Sequence, residues 1–158
     1  TELKWSAKLY NISGKLLNQW SDETSIESNS AKKVTSFHSP VPKKPTHWIL
    51  FLELINKEGE RLSRNEYLFS STKPCMKKAL SPPAAKLKIT RKGKLFELKN
   101  QSNHPALYIE ILPEEGQWII TSDNYFSLPP NSSLQVTIAG KGKIKITSWN
   151  TPSQYYSL

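Results

Sequence analysis

Residues 3–9 read LKWSAKL, so an apolar side chain occupies every second position of this opening segment. Successive side chains of a β-strand point to opposite faces, and a period of two is therefore the pattern of a strand with one buried face. The turn-forming residues 11–14, NISG, then allow the chain to reverse into a second strand over residues 15–20. The opening of the chain thus predicts a β-hairpin.

The most apolar strand of the first half follows later. Trp48–Ile55 is apolar at nearly every position, which is typical of a central strand that is buried on both faces or faces a neighbouring domain. The turn residues 56–59 direct this strand toward a partner at Glu66–Ser70. We therefore expect a second hairpin that packs beside the first.

The segments between these hairpins carry weaker signals. Short strand-like runs lie at Ser25–Glu27 and Lys33–Phe37, and prolines at residues 40–45 interrupt the pattern because proline donates no ladder hydrogen bond. The opening strand has the pattern of an inner strand. One hypothesis is that the initial edge strand of this domain lies upstream of Thr1, which would leave the backbone of residues 3–9 partly unpaired.

The second half of the chain repeats the period of two in shorter segments. Strands are predicted at residues 86–90, 95–99, 106–112, 118–121, 125–128, 134–139 and 143–149, and the residues after 149 are expected to form a tail. Short strands at intervals of about 8–12 residues, without helical periodicity, are typical of an immunoglobulin-like β-sandwich. We therefore predict an all-β chain with two immunoglobulin-like β-sandwich domains in tandem, at residues 1–73 and 86–158, joined by a proline-containing linker at residues 74–85.

The composition limits the possible partners. The 158 residues contain 22 Lys and Arg against 13 Asp and Glu, a formal net charge of +9, and one Cys, which precludes an intramolecular disulfide. The positive charge is spread along the chain, and no apolar run approaches the roughly 20 residues of a membrane helix. We expect neither nucleic acid nor a membrane as a partner. Because the chain starts at Thr1 and its one Met is Met76, we also expect a piece of a longer polypeptide.

Lysines cluster near both ends of the second domain, at residues 86–94 and 141–145. If the first and last strands of this domain are neighbours, the two groups form one basic stripe. Lysines on sheet edges also prevent aggregation, and this role explains the same residues without a ligand.

The residues that carry most hydrolytic and metal chemistry are poorly placed in the sequence. His38, His47 and His104 fall beside predicted loops and are interpreted as solvated loop residues, and there is neither a Gly-x-Ser-x-Gly elbow nor zinc-ligand spacing. Glycoside hydrolysis requires two carboxyl groups across a pocket, whereas the acidic residues here lie in turns or on the polar face of strands. We predict no catalytic residue, no metal site and no cofactor.

Carbohydrate binding is a more specific possibility than catalysis or metal binding. The aromatic side chains of Trp118, Tyr125 and Trp149 can stack on sugar rings, and Asp123 and Asn124 can form hydrogen bonds with sugar hydroxyls. Burial is the competing explanation, because large aromatic residues usually pack in a core or between domains.

Two stretches in each half of the chain carry recognisable motifs. In the first half they are residues 9–15, LYNISGK, and residues 56–67, which contain Ser63-Arg64-Asn65-Glu66-Tyr67. In the second half they are Trp118 and the Asp-Asn-aromatic-aromatic run of residues 123–126, which precedes a proline-containing turn. Together they resemble the C-terminal immunoglobulin-like domains of glycoside hydrolase family 2 enzymes, most closely those of the β-mannosidase and exo-β-glucosaminidase branch. The first pair is similar to the domain after the catalytic barrel, whose last strand carries a Ser-Arg-Asn-x-Tyr signature, and the second pair is similar to the family's terminal sandwich domain.

This resemblance implies a non-catalytic C-terminal accessory module of a larger, retaining, exo-acting glycoside hydrolase of the β-mannosidase or β-galactosidase type. The module would pack against the catalytic barrel of the same parent chain, in the periplasm or outside the cell. Asn65-Glu66 repeats the dipeptide of the family's acid/base glutamate, but a (β/α)₈ barrel needs about 250 residues, so no catalytic role is assigned to Glu66. The alternative is a carbohydrate-binding module that stacks glycans on exposed aromatics, and a free-standing adhesion or nucleic-acid-binding domain is the least favoured.

Overall fold

The computed structural model describes residues 2–36, 47–70 and 82–158, and these residues form β-strands, turns and loops without an α-helix. The chain divides into two compact units, unit 1 at Thr1–Ser81 and unit 2 at Pro82–Leu158. The prediction of an all-β chain is confirmed. Within the described ranges, no helix has the length and apolar character that a membrane span requires.

Unit 1 contains a four-stranded antiparallel sheet. Its strands are β1 (Glu2–Asn11), β2 (Leu16–Ser25), β3 (His47–Asn56) and β4 (Arg61–Ser70), in the order β2-β1-β3-β4. Both predicted hairpins are present, and β3 is an inner strand as its apolar sequence predicts. Strand β1 pairs with β2 on one side and with β3 on the other, so the expectation that its backbone is partly unpaired was wrong.

The same turn chemistry closes both hairpins of unit 1. In the first, the Lys15 N–H donates to Asn11 Oδ1 at 2.9 Å and the Gly14 N–H donates to the Asn11 carbonyl at 3.0 Å. In the second, the Glu60 N–H donates to Asn56 Oδ1 at 2.8 Å and the Gly59 N–H donates to the Asn56 carbonyl at 3.1 Å. Both glycines have the positive φ that favours glycine, +87° and +84°. An Asn-x-x-Gly turn therefore sets the register of each strand pair.

Some sequence expectations for unit 1 differ from the structure. Strand β2 ends at Ser25, and residues 26–36 contain no strand, so the weak strand predicted at Lys33–Phe37 is absent from residues 33–36. Val34 and Thr35 favour a strand locally, but residues 33–36 do not pair with either edge strand of the sheet, and a strand needs a ladder partner. Phe37, the proline-rich stretch at 40–45 and residues 74–81 of the predicted linker lie outside the described residues.

Unit 2 is a β-sandwich of two four-stranded antiparallel sheets, which confirms the predicted fold. Its strands are β5 (Leu87–Lys92), β6 (Leu95–Asn100), β7 (Ala106–Pro113), β8 (Ile119–Thr121), β9 (Phe126–Leu128), β10 (Ser133–Gly140), β11 (Lys143–Ser148) and β12 (Thr151–Ser157). One sheet has the order β5-β6-β10-β8 and the other has the order β12-β11-β7-β9. Alternate side chains of both sheets form the core, including Phe96, Leu98, Ile109, Ile111, Val136, Ile138, Ile144 and Ile146.

Strand β12 and the last residues of the predicted linker were not anticipated as parts of the sandwich. Strand β12 pairs with β11 and contains Pro152, which an edge strand tolerates but a sequence pattern reads as a break. Pro83 accepts a hydrogen bond from Asn150 Nδ2 at 2.8 Å, and Ala85 is buried in the core. The structure therefore places both of these linker residues in unit 2.

One edge of the sandwich is closed by contacts between its two sheets. Gln154 Nε2 of β12 donates to the Leu87 carbonyl of β5 at 2.8 Å, and the Arg91 guanidinium donates to the Ser157 carbonyl. Strands β8 and β9 therefore form the opposite edge, and the four residues between them cross from one sheet to the other. We call residues 118–125, which run along this side, the open edge.

The lysines near the two ends of unit 2 do not form one stripe. Lys143 and Lys145 alternate with buried Ile144, and so they project from the outer face of the β12-β11-β7-β9 sheet. Lys88 alternates with buried Leu87 and projects from the outer face of the other sheet. The expected stripe assumed that β11 is the last strand, whereas β12 lies between β11 and β5.

Truncation of a core residue will destabilise unit 2, whereas the same change on its surface will not. Ile109→Ala removes side-chain volume from a fully buried position of β7, and we expect a loss of about 2–5 kcal/mol of unfolding free energy. Ile120→Ala is the matched control, because Ile120 is exposed and the change should be within about 0.5 kcal/mol. Urea unfolding of both variants measures the difference, and equal losses would contradict the core assignment.

Candidate functional site

The three aromatic residues proposed from the sequence are exposed. Trp118, Tyr125 and Trp149 expose 66%, 63% and 55% of their surface, so burial in the core of unit 2 does not account for them. They do not form one cluster. Trp118 precedes β8 and borders the β10–β11 turn, whereas Trp149 follows β11 at the far end of that strand. Tyr125 lies on the open edge, immediately before β9.

Trp149 belongs to an aromatic pair on the outer face of the β12-β11-β7-β9 sheet. Its ring centroid lies 4.3 Å from that of Tyr108, with an interplanar angle of 38°. The backbone N–H of Trp149 donates to the Leu107 carbonyl at 3.0 Å. Tyr108 has a φ of +48° at the irregularity between β7 and β9. Tyr155, which is 68% exposed, lies opposite Lys145 in the β11–β12 ladder and projects from the same face. This face therefore offers aromatic surface beside polar side chains.

Asn124 has a structural function at the open edge. Its Oδ1 accepts hydrogen bonds from the Ile111 N–H at 2.8 Å and the Tyr125 N–H at 3.0 Å, and its Nδ2 donates to the Ile111 carbonyl at 3.0 Å. Asp123 Oδ1 accepts from the Asn124 N–H at 2.8 Å. The Asn124 amide therefore replaces a strand neighbour for Ile111 and attaches the β8–β9 loop to β7.

Two open grooves in the described parts of the chain are lined in part by polar residues. A groove of about 850 Å³ lies at one end of the unit 1 sheet and includes two carboxylates, Glu2 and Glu23. Glu23 faces Lys4 across the β1–β2 ladder, and both carboxylates are exposed. A second groove of about 250 Å³ is lined by Gly116, Gln117, Trp118, Lys141 and Gly142, where Gln117 Oε1 accepts from the Lys143 N–H at 2.8 Å. Neither groove is an enclosed pocket with facing carboxylates.

The histidines and Glu66 differ in their burial and in the groups that they contact. His47 begins β3 and is buried, so its interpretation as a solvated loop residue was wrong, and its Nδ1 has no hydrogen-bond partner in the residues that the structure describes. His104 is half-buried, and its carbonyl accepts from Asn100 Nδ2 at 2.7 Å, while His38 lies outside the described residues. Glu66 Oε2 lies 3.3 Å from the Arg64 guanidinium in β4, and both side chains are mostly buried. The described residues contain no group of three or more His, Cys, Asp or Glu placed to hold a metal ion.

The surroundings of two tyrosines change the pKa of their hydroxyl groups. Burial raises the pKa of Tyr10 and that of Tyr156 above the ordinary tyrosine value. The Tyr10 ring meets Phe51 edge to face at 5.9 Å, and the Tyr156 ring meets Phe96 in the same way at 5.9 Å. Burial disfavours the charged phenolate of each residue, and the ring contacts show that both residues contribute to packing.

Comparison with known protein families identifies both halves of the chain. Residues 1–73 match the model of the Mannosidase Ig/CBM-like domain, and residues 80–158 match the model of the mannosidase Ig-fold domain. The chain belongs to the family of mannosidase immunoglobulin-like domains. No curated protein sequence matches it. The resemblance to C-terminal immunoglobulin-like domains of glycoside hydrolase family 2 is thereby confirmed.

Solved structures show the same fold. The exo-chitosanase CsxA of Amycolatopsis orientalis matches with a TM-score of 0.64 and 17% identity over 99% of this chain and 23% of that chain. A complex of the same enzyme with PNP-β-D-glucosamine matches with a TM-score of 0.66 and 17% identity, over the same shares of the two chains. The mannosidase immunoglobulin-like pair thus spans about a quarter of the length of these chains and resembles the accessory domains of a glycoside hydrolase.

Two further asparagines hold the Ig-fold mannosidase domain together, and sequence reasoning did not find them. Asn100 is fully buried, and its Nδ2 donates to the carbonyls of His104, Leu128 and Pro129. Asn150 Nδ2 donates to the carbonyls of Pro83 and Pro105, while its Oδ1 accepts from the Leu107 N–H. Three of the accepting residues are prolines in loops, and in the sequence each asparagine looks like an ordinary turn residue.

Replacement of Asn124 distinguishes a structural function from a glycan contact. Asn124→Ala leaves the Ile111 N–H and carbonyl without their partner, and we expect a loss of about 1–3 kcal/mol of unfolding free energy. Asn103→Ala removes one exposed side-chain contact, to Asn131, and should change the stability by less than about 0.5 kcal/mol. Urea unfolding measures both values. A stable Asn124→Ala variant would mean that the amide does not support the fold.

Proposed function

We propose that this chain is the non-catalytic C-terminal accessory module of a larger exo-acting, retaining glycoside hydrolase of family 2, and that it packs against the catalytic barrel of the same polypeptide. The observation that carries the proposal is the tandem match of two mannosidase-type domain models, at residues 1–73 and 80–158. The matched exo-chitosanase chains are about four times as long, which leaves room for a catalytic domain elsewhere. The family resemblance supports the proposal of a periplasmic or extracellular location.

The arrangement of the carboxylates supports the non-catalytic part of this proposal. A retaining glycosidase holds two carboxyl groups about 5 Å apart on either side of the scissile bond. In the described residues, Glu66 is engaged by Arg64, and Glu2 and Glu23 lie on an open groove where Glu23 faces Lys4. These carboxylates are therefore assigned to stabilising and solubilising functions, and catalysis is assigned to the remainder of the parent enzyme.

The purified chain should not hydrolyse glycosides. We expect no turnover of nitrophenyl β-mannoside or nitrophenyl β-glucosaminide above the buffer rate, because the catalytic carboxylates belong to another domain. The Glu66→Gln variant is the matched control and should behave identically. Hydrolysis by the unmodified chain that disappears in Glu66→Gln would overturn the proposal.

A second candidate is a carbohydrate-binding module, and the exposure of Tyr155 and of the Trp149–Tyr108 pair favours it. Stacking of a sugar ring on an exposed tryptophan changes its fluorescence. For an accessory module that acts by docking, we expect no saturable change in tryptophan fluorescence when the chain is titrated with mannan or β-linked oligosaccharides. A saturable change that is lost in Trp149→Ala, but retained in Trp20→Phe, would favour glycan binding on this face.

A further inference from the structure

The open edge, residues 118–125, combines unusual exposure with low charge. Trp118 and Ile120 lie two residues apart around the start of β8, and they expose 66% and 65% of their surface. Ile119 between them packs against the core, so its two neighbours project outward together. Tyr125, which is 63% exposed, follows at the end of the β8–β9 loop. Three large apolar side chains thus project from one eight-residue segment.

The backbone of the open edge is held firmly in place. The Ser122 N–H donates to the Thr137 carbonyl at 3.0 Å, and the Thr137 N–H donates to Ser122 Oγ at 2.9 Å. The Asn124 amide binds the backbone of Ile111, as described above. Tyr125 has a φ of +59°, which is an outlier for a bulky residue and costs of order 1–3 kcal/mol. The fold therefore presents an exposed aromatic side chain in a strained conformation, which is typical of a binding surface.

The polar groups of the open edge determine which class of partner suits it. Ser122 Oγ, the Asn124 amide and Asp123 Oδ1 all form hydrogen bonds within unit 2. A sugar needs hydrogen-bonding groups around the aromatic ring on which it stacks, and the Asn124 amide, whose Oδ1 accepts two hydrogen bonds and whose Nδ2 donates one, has little capacity left for a sugar hydroxyl. The aliphatic side chain of Ile120 between the two aromatics adds apolar surface without a stacking face. An apolar protein surface therefore fits the open edge better than a glycan does.

The charge distribution of unit 2 also indicates the partner. Residues 100–140 contain no Lys or Arg but four carboxylates, those of Glu110, Glu114, Glu115 and Asp123, in a chain with a net charge of +9. The nine Lys and Arg residues of unit 2 lie at residues 86–99 and 141–145, and Lys141 borders the open edge beside Trp118. A partner that covers the edge would place apolar side chains on Trp118 and Ile120 and a basic side chain near Asp123.

We propose that the open edge of unit 2 is the surface that docks onto the catalytic domain of the same polypeptide, in which Trp118, Ile120 and Tyr125 form the apolar centre of the interface. This inference rests on the proposed function, and the matched chains, of which this chain covers 23%, have the length to contain that domain. Tryptophan and tyrosine surrounded by engaged polar groups are the usual composition of an interface centre. The strained Tyr125 and the Asn124 anchor keep this centre preorganised.

Hydroxyl-radical footprinting with mass spectrometry tests the proposal. Labelling of side chains is compared between this 158-residue chain and the full-length parent enzyme. We expect the labelling of Trp118 and Tyr125 to fall about fivefold or more in the full-length enzyme, because interface centres pack as tightly as protein interiors. Tyr155, which is equally exposed on the closed side of the sandwich, is the matched control and should be labelled equally in both proteins.

A variant of the full-length enzyme provides the second measurement. Ile120→Asp places a charge at the centre of the interface, and we expect the labelling of Trp118 to return to the level of the 158-residue chain. Tyr155→Asp should leave the labelling of Trp118 unchanged. Urea unfolding of the 158-residue chain with Ile120→Asp shows whether this variant folds. If Ile120→Asp does not fold, Trp118→Ser is used in its place, and the labelling of Tyr125 is measured instead of that of Trp118.

The outcomes separate this inference from the proposed function. Protection of Tyr155 and Trp149 instead of Trp118 would overturn the inference but would leave docking of the module intact. Equal labelling of all exposed aromatics of unit 2 in both proteins would overturn the docking of unit 2 altogether. Protection of Trp118 by added mannan in the 158-residue chain would assign the open edge to a glycan and would overturn the inference.

Discussion

The β-sandwich of unit 2 depends on satisfying backbone hydrogen-bonding groups where its ladders stop. Buried N–H and carbonyl groups without partners cost free energy comparable to a lost hydrogen bond, so each irregular connection needs a substitute for the missing strand. The side-chain amides of Asn100, Asn124 and Asn150 provide it, each with three or more hydrogen bonds to loop or strand backbone. The short strands β8 and β9 are stable because such anchors hold their ends.

One of these anchors also positions the proposed docking surface. Asn124 fixes the loop that carries Tyr125 and follows Ile120, and the Asp-Asn-aromatic-aromatic run is therefore first a structural element. A rigid, apolar edge on an otherwise charged domain is suited to contact with another protein surface that stays in place, which is what the proposed docking onto a catalytic domain requires. The aromatic face formed by Tyr155, Trp149 and Tyr108 is separate from this edge, so docking and glycan contact would not compete for the same residues.

Most of the fold follows from local pattern. Alternation at Leu3–Leu9, the apolar run at Trp48–Ile55 and the two Asn-x-x-Gly turns predict unit 1 strands and their hairpins, because side-chain period and turn conformation are properties of adjacent residues. Strand β12 was missed for the opposite reason. Its Pro152 and polar residues have little strand preference. It pairs with its sequence neighbour β11, but the contact of Gln154 with Leu87 that attaches it to β5 is remote in sequence.

The candidate site shows the same division between sequence and tertiary structure. The sequence by itself determined the all-β class and the tandem domains, and it singled out Trp118, Tyr125 and Trp149 as candidates, since residue type and spacing carry that information. Only the tertiary structure decided that Asn124 anchors β7, that Ile120 and not Ile119 faces outward, and that Trp118 and Trp149 lie far apart. Exposure and hydrogen-bond partners are set by which strands become neighbours, and this depends on packing between distant segments rather than on any short stretch of sequence.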